Sequence, residues 1–200
     1  MRLDAVILAG GRASRLGGAA KPDLRVGDSS LLEHATAAAT RARARHTIIV
    51  GPERDLRGVH FVREDPPHGG PVAALAAALH LVESEWLLLL AADLPRATSV
   101  VDLLLAAAST PPDDIDGVAL IDADGRPQWL AGLYRTTAIR HAIDGLIAAH
   151  GTTQDSSLHR ILSPLTITLA PDPDGVALDV DTWQDISSAR SREEKAHGTL

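Results

Sequence analysis

Asp4-Ala5-Val6-Ile7-Leu8-Ala9-Gly10-Gly11 opens the chain as a short, apolar, β-prone run stopped by paired glycines. A run of this kind reads as a buried strand feeding a loop. Arg12, Ser14, Arg15, Gly17, Gly18 and Lys21 follow it closely. Glycines lack a Cβ, so their N–H groups can turn inward and approach an oxyanion. Arg15 and Lys21 add full positive charges to the same loop. Arg forks onto phosphate oxygens and Lys acts as a point charge, so donors and cations together suit a polyphosphate.

Two better-known phosphate loops are excluded by spacing. G-x-x-x-x-G-K-[ST] is absent, because Lys21 follows Ala20 and Pro22 comes after it. G-x-G-x-x-G is absent as well, so this is neither a P-loop nor a dinucleotide fingerprint. The bland reading is a glycine-rich surface turn with solvated cations; the position after a first strand and the two cations weigh against it.

The 200 residues suit one domain with a sizeable core. Residues 1–190 are assigned to that domain and 191–200 to a frayed C-terminal tail. Ala and Leu are abundant and aromatics scarce, which favours packed helices over a long β-sandwich. The formal charge of −7 argues against nucleic acid or an anionic membrane as the main partner. With no cysteine, disulfides and thiolate metal sites are excluded. The first apolar run is too short for a signal peptide and is interrupted by an acid. Trp86–Ala92 is far below a membrane span, so a cytoplasmic location is expected.

Along the chain, Ser29-Ser30 caps a helix from Leu31 to about Arg45, with Glu33 in its first turn. His46–Val50 is a second strand stopped by Gly51-Pro52, and Val59–Val62 a third. Glu64–Pro71 is a turn-rich loop, and Pro71 opens a helix running from Val72 to about Val82. Trp86–Ala92, apolar on both faces, reads as the central strand. Thr98–Ala108 is a helix, and Asp113, Asp114 and Asp116 a solvated acidic turn. Gly117–Ile121 and Gln128–Arg135 form a hairpin, and helices follow at Thr136–His150 and Ser157–Leu162, separated by a polar, mobile stretch at Gly151–Ser157. Leu165–Leu169 and Val176–Val180 are late strands, and Asp181 or Thr182 caps a last helix. The alternation predicts a single-domain, Rossmann-like three-layer α/β fold with a mostly parallel central sheet and a small antiparallel hairpin part.

Asp93, in Asp93-Leu94-Pro95, ends the central strand where sheets of this kind bind ligands. Mg²⁺ takes oxygen ligands, commonly one or two carboxylates plus substrate phosphates. Asp93 is therefore the leading candidate metal ligand; its structural alternative is a turn or cap acid.

Leu8-Ala9-Gly10-Gly11-Arg12-Ala13-Ser14-Arg15-Leu16-Gly17, with Lys21, resembles the signature loop of nucleotidyltransferases built on an α/β nucleotide-binding domain. Its Leu-Ala-Gly-Gly form most resembles the molybdenum cofactor guanylyltransferases, and Asp93-Leu94-Pro95 matches the family's Asp-x-Pro. The resemblance implies a nucleotide-diphospho-sugar transferase type of fold and a Mg²⁺-dependent transfer of GMP from GTP to molybdopterin phosphate, releasing pyrophosphate. It implies catalytic roles for Arg15, Lys21 and Asp93. Nucleotide binding falls to Leu8, Ala9, Gly10, Gly11, Lys21, Gly51, Asp65, Gly70, Pro71 and Asp93, with the Gly70 backbone reading a base edge. Asp181, where the family carries an Asn, is the second metal candidate beside Asp93. The implied partners are GTP and the pterin acceptor, with transient contact to delivery or acceptor proteins, as a monomer or weak homo-oligomer. Two departures stand out: Ala20 replaces the acid usual before Lys21, and Arg126-Pro127-Gln128-Trp129 replaces a His-Pro-rich acceptor segment; His159 and Arg160 fall on the late substrate-side helix. The alternatives are a CTP-dependent pterin cytidylyltransferase, a sugar- or alcohol-phosphate nucleotidyltransferase, or a non-catalytic nucleotide-binding module.

Overall fold

A computed structural model describes residues 1–10, 20–109 and 114–180, with Asp185 and Ser187 singly. Gly11, Arg12, Arg15, Asp113, the cap at Asp181-Thr182 and the 191–200 tail lie outside the described residues.

The first strand, β1 (Leu3–Leu8), is buried along its whole length. A 3-10 turn at Lys21–Asp23 leads into a two-stranded ribbon of β2 (Arg25–Val26) and β3 (Ser29–Ser30). Helix α1 (Leu31–Arg41) starts on a capping box: the Ser30 hydroxyl accepts from the Glu33 N–H, and the Glu33 carboxylate accepts from the Ser30 N–H. Then come β4 (Thr47–Val50), β5 (His60–Val62), α2 (Pro71–Leu79), β6 (Trp86–Ala91) and α3 (Ala97–Ala107). The hairpin is β7 (Gly117–Ile121) with β8 (Pro127–Arg135), followed by α4 (Thr136–His150), α5 (Leu158–Leu162) and β9 (Ile167–Pro171).

Seven strands form one sheet in the order β5-β4-β1-β6-β8-β7-β9. The pairs β4–β5, β1–β4, β1–β6 and β7–β9 are parallel, and β8 alone runs against its neighbours β6 and β7. The expected hairpin is thus stitched into the main sheet. Leu32, Ala35, Ala38 and Ala39 of α1 and Val100, Val101 and Leu104 of α3 cover one face. Val72 and Leu75 of α2, Ile139 and Ile143 of α4, and Leu158 and Ile161 of α5 cover the other. The three-layer α/β expectation holds.

Four local expectations are corrected. Helix α1 stops at Arg41 because Arg43 turns left-handed (φ 55°) and its N–H and that of Ala44 donate back to Thr40 and Ala39. Arg45 is already at the sheet, its N–H bonded to the Leu3 carbonyl. Val176–Val180 is not a strand: the Asp172 carboxylate accepts the Val176 and Ala177 N–H groups, both at 2.8 Å, folding the segment into turns. Asp116 is no solvated acid, since its Oδ2 accepts the Thr166 N–H at 2.9 Å and so fixes the approach to β9. Finally, the polar Gly151–Ser157 stretch is docked rather than loose: Ser156 is buried and the Asp155 N–H donates to the Gly69 carbonyl at 2.8 Å.

Candidate functional site

Asp4 holds the base of the sheet. Its side chain is fully buried, and its two oxygens accept N–H bonds from His46 (3.1 Å), Glu83 (2.8 Å) and Ser84 (2.8 Å). Those amides belong to the segments that lead into β4 and β6, so one carboxylate sets where three neighbouring strands begin. Burial pushes the Asp4 carboxyl pKa up, but the hydrogen bonds from Ser84, Glu83 and His46 outweigh it and hold it below its ordinary value. The sequence reading treated this acid only as a break in an apolar run. The signal for its role was there: a charge inside a buried strand needs partners.

At the opposite end of the strands, the chain's direction of travel across the sheet reverses. From β1 it moves outward to β4 and β5, then returns to place β6 on the other side of β1. The crevice between the carboxyl ends of β1 and β6 is therefore a topological switch point, where open α/β sheets bind ligands. A cleft of 310 Å³ opens here, lined by Leu8, Gly10, Glu64, His68, Gly70, Pro71, Ala74, Ala91, Asp93 and Leu130. Five of the expected nucleotide-binding residues, Leu8, Gly10, Gly70, Pro71 and Asp93, thus share one wall system.

Lys21 reaches the same place. Its Nζ donates to Asp93 Oδ2 at 2.9 Å, with side chains 23% and 21% exposed. The pair is sheltered enough for charge to matter and open enough for a ligand to enter. Lys21 is aimed by its 3-10 turn, where Pro22 is buried and Asp23 binds Arg54 of the β4–β5 connection. Asp93 is held through its backbone too, the Val180 N–H donating to its carbonyl at 3.2 Å.

The remaining expected residues sit differently. Ala9 is buried and bonded through its N–H to the Val50 carbonyl. Gly51 is buried against Ala9 and donates to the Val62 carbonyl, which makes it a packing element beside the cleft. Asp65 is exposed and outside the cleft lining; its neighbour Glu64 lines the cleft. Gly70 adopts φ 88°, a conformation few other residues tolerate, and Asp155 Cα lies 3.6 Å from where its Cβ would sit.

Sequence reasoning also missed Leu130. β8 carries a bulge: Ala119 pairs with Gly132 and the next residue, Leu120, with Gln128. The intervening residues leave the β7 ladder, and the Tyr134 hydroxyl holds the loop so formed by donating to the Trp129 carbonyl at 2.8 Å. Leu130 thereby lines the cleft, while the Trp129 ring meets His159 edge-on at 6.3 Å between centroids. His159 and Arg160 are exposed, Arg160 bonded to His150. Gln128 is tied to Asp122 at 2.8 Å.

Among the described residues no three His, Cys, Asp or Glu side chains converge as a metal cage. Asp93 supplies one hard carboxylate at the switch point. That donor set fits a Mg²⁺-like ion whose remaining ligands are substrate phosphates and water. Among the described residues no helix is long and apolar enough to cross a membrane.

A switch-point cleft that pairs a lysine with a strand-end aspartate defines the class: an α/β nucleotidyltransferase. The chain belongs to the MobA-like NTP transferase domain family, whose family model matches residues 5–167. It is similar to a molybdenum cofactor guanylyltransferase of Shewanella loihica, 27% identical over 154 residues, which are 74% of this chain and 76% of that protein. Among solved structures, the Mycobacterium sp. strain JC1 homologue of Mycobacterium tuberculosis Rv0371c superposes with a TM-score of 0.72 at 24% identity, covering 98% of this chain and 100% of that one. The manganese complex of Rv0371c itself gives a TM-score of 0.64 at 19% identity, covering 95% and 98%. At these identities the structural neighbours establish the fold.

Proposed function

We propose that this chain transfers the guanylyl group of GTP to the phosphate of a molybdopterin-type acceptor, with Mg²⁺, forming the guanine dinucleotide and pyrophosphate in the cytoplasm. The observation that carries the reading is the Lys21–Asp93 contact of 2.9 Å at the switch-point cleft. The name of the Shewanella loihica relative supports the choice of GTP and acceptor.

The acceptor phosphate oxygen attacks the α-phosphorus of GTP, and the bond from that phosphorus to the oxygen bridging to the β-phosphate breaks. Pyrophosphate leaves with the electron pair. No covalent enzyme intermediate is required, so catalysis rests on positioning and charge neutralisation. Lys21 would release Asp93 and donate to the phosphates, where negative charge accumulates. Asp93, with Asp181, would hold the metal ion, which supplies charge neutralisation across the triphosphate. Arg15 and the amides of Gly10 and Gly11 would complete the phosphate cradle, while Leu8, Pro71 and Leu130 shield the nucleotide from water.

The test is pyrophosphate release with a molybdopterin acceptor and a GTP, CTP and UTP panel. GTP-dependent turnover that requires Mg²⁺ and disappears in Asp93→Ala is expected. Preference for CTP overturns the base assignment, and nucleotide binding unaffected by Asp93→Ala, without turnover, favours a non-catalytic module.

A further inference from the structure

The proposed chemistry gives Asp93 a task but leaves the other carboxylate of the cleft lining, Glu64, without one. Glu64 lines the cleft two positions after β5, whereas Asp93 follows β6. β5 and β6 are three strand spacings apart in the sheet, roughly 14 Å at the usual inter-strand distance. The Lys21–Asp93 pair marks the phosphate end, so Glu64 lies toward the end that receives the base.

Three backbone acceptors on or beside that wall are already engaged. The Leu8 carbonyl accepts from Ala92, that of Gly69 from Asp155, and that of Gly70 from Ala74. Pro71 has no N–H to offer. The Glu64 carboxylate differs. Its Oε1 accepts the His68 N–H at 3.0 Å, and its Oε2 makes no hydrogen bond or ion pair among the described residues. The His68 amide fixes the orientation of the carboxylate while leaving the second oxygen and spare lone pairs for a ligand.

We propose that Glu64 reads the Watson–Crick edge of guanine and sets the preference for GTP; this rests on the guanylyl-transfer reading above. Guanine presents two adjacent donors on that edge, the ring N1–H and the exocyclic amine, and a carboxylate accepts both. Cytosine presents a donor beside a lone pair, which a carboxylate repels. The residue thus acts by attraction toward one base and by repulsion toward the other. This places base selection on a side chain that the sequence reading passed over in favour of Asp65 and the Gly70 backbone.

The experiment is equilibrium binding of GTP, ITP and CTP, each with Mg²⁺, to the full chain and to Glu64→Gln, with Glu64→Asp as a second variant that keeps the charge but shortens the reach. ITP lacks only the exocyclic amine. The wild type should hold GTP roughly tenfold or more tighter than ITP, the scale of a hydrogen bond to a charged group. Glu64→Gln should lose GTP affinity by a similar factor, bring GTP and ITP close together, and leave CTP unchanged or tighter. Glu64→Asp should fall between. An unchanged GTP-to-ITP ratio in Glu64→Gln overturns the assignment while leaving guanylyl transfer standing. Equal weakening of all three nucleotides also overturns it, because it indicates a role at the phosphates. If the wild type prefers CTP or binds no GTP, the guanylyl reading fails first and the assignment with it.

Discussion

Lys21 and Asp93, 72 positions apart in sequence, meet at 2.9 Å, and each restrains the other; in the proposed reaction the nucleotide would separate them. Replacing either Lys21 by Ala or Asp93 by Asn should lower the rate of pyrophosphate release by roughly 10²–10³-fold, the scale of a lost transition-state contact. Both side chains are partly exposed, so the same variants should change the melting temperature little. Asp4 predicts the reverse. Asp4→Ala leaves three amides without their acceptor and should cost about 3 kcal/mol. Thermal unfolding should register that as a fall of roughly 6–12 °C. The sign of the pH effect follows from its lowered pKa: folded Asp4 binds a proton more weakly than unfolded Asp4. Its contribution is therefore present above the unfolded value near ~4 and is lost as pH falls through the lower folded value. Denaturant titrations in acid should show that loss in the wild type and a flatter profile in Asp4→Ala.

Element boundaries were legible where the sequence carried a local stop signal and illegible where tertiary contacts supplied it. Ser30 and Glu33 announced the start of α1, and the capping box is present. Ser30→Ala should cost about 1 kcal/mol, measurable by chemical denaturation. The end of that helix was not announced, because an arginine rather than a glycine takes the left-handed position at residue 43. Val176–Val180 is as apolar as a strand, and Val176, Ala177 and Val180 are buried while Leu178 is exposed; what composition could not reveal is that Asp172 captures the amides of Val176 and Ala177. The β8 bulge was equally hidden, although Gly132 marks it. A Cβ on Gly132 would fall 2.2 Å from the Tyr134 hydroxyl. Gly132→Ala should therefore destabilise the fold by about 1–3 kcal/mol and raise the KM for nucleotide by displacing Leu130, two effects separable by measuring kinetics well below the melting temperature.

For the molecule as a whole, apolar strands alternating with helices made the layers and the mostly parallel sheet readable in advance. The place of β8 between β6 and β7 was not, since pairing partners so far apart in sequence leave no local trace. Much of the candidate site was legible because loops at a switch point carry their chemistry in glycines, a lysine and an acid that stand out against apolar neighbours. Glu64 was not, because choosing between two adjacent acids depends on which way a loop turns. Ligand linkage tests the assembled site. GTP with Mg²⁺ at a hundred times its Kd should stabilise the fold by about 2.7 kcal/mol, a rise of roughly 5–10 °C in thermal unfolding, which Asp93→Ala should largely abolish.

The amide of Val180 on the carbonyl of Asp93 has a consequence for biosynthesis. Nine of the ten cleft-lining residues lie between Leu8 and Asp93, yet the bond that steadies the aspartate waits for Val180, synthesised 87 positions later. A nascent polypeptide halted before residue 180 can fold most of its sheet without that brace.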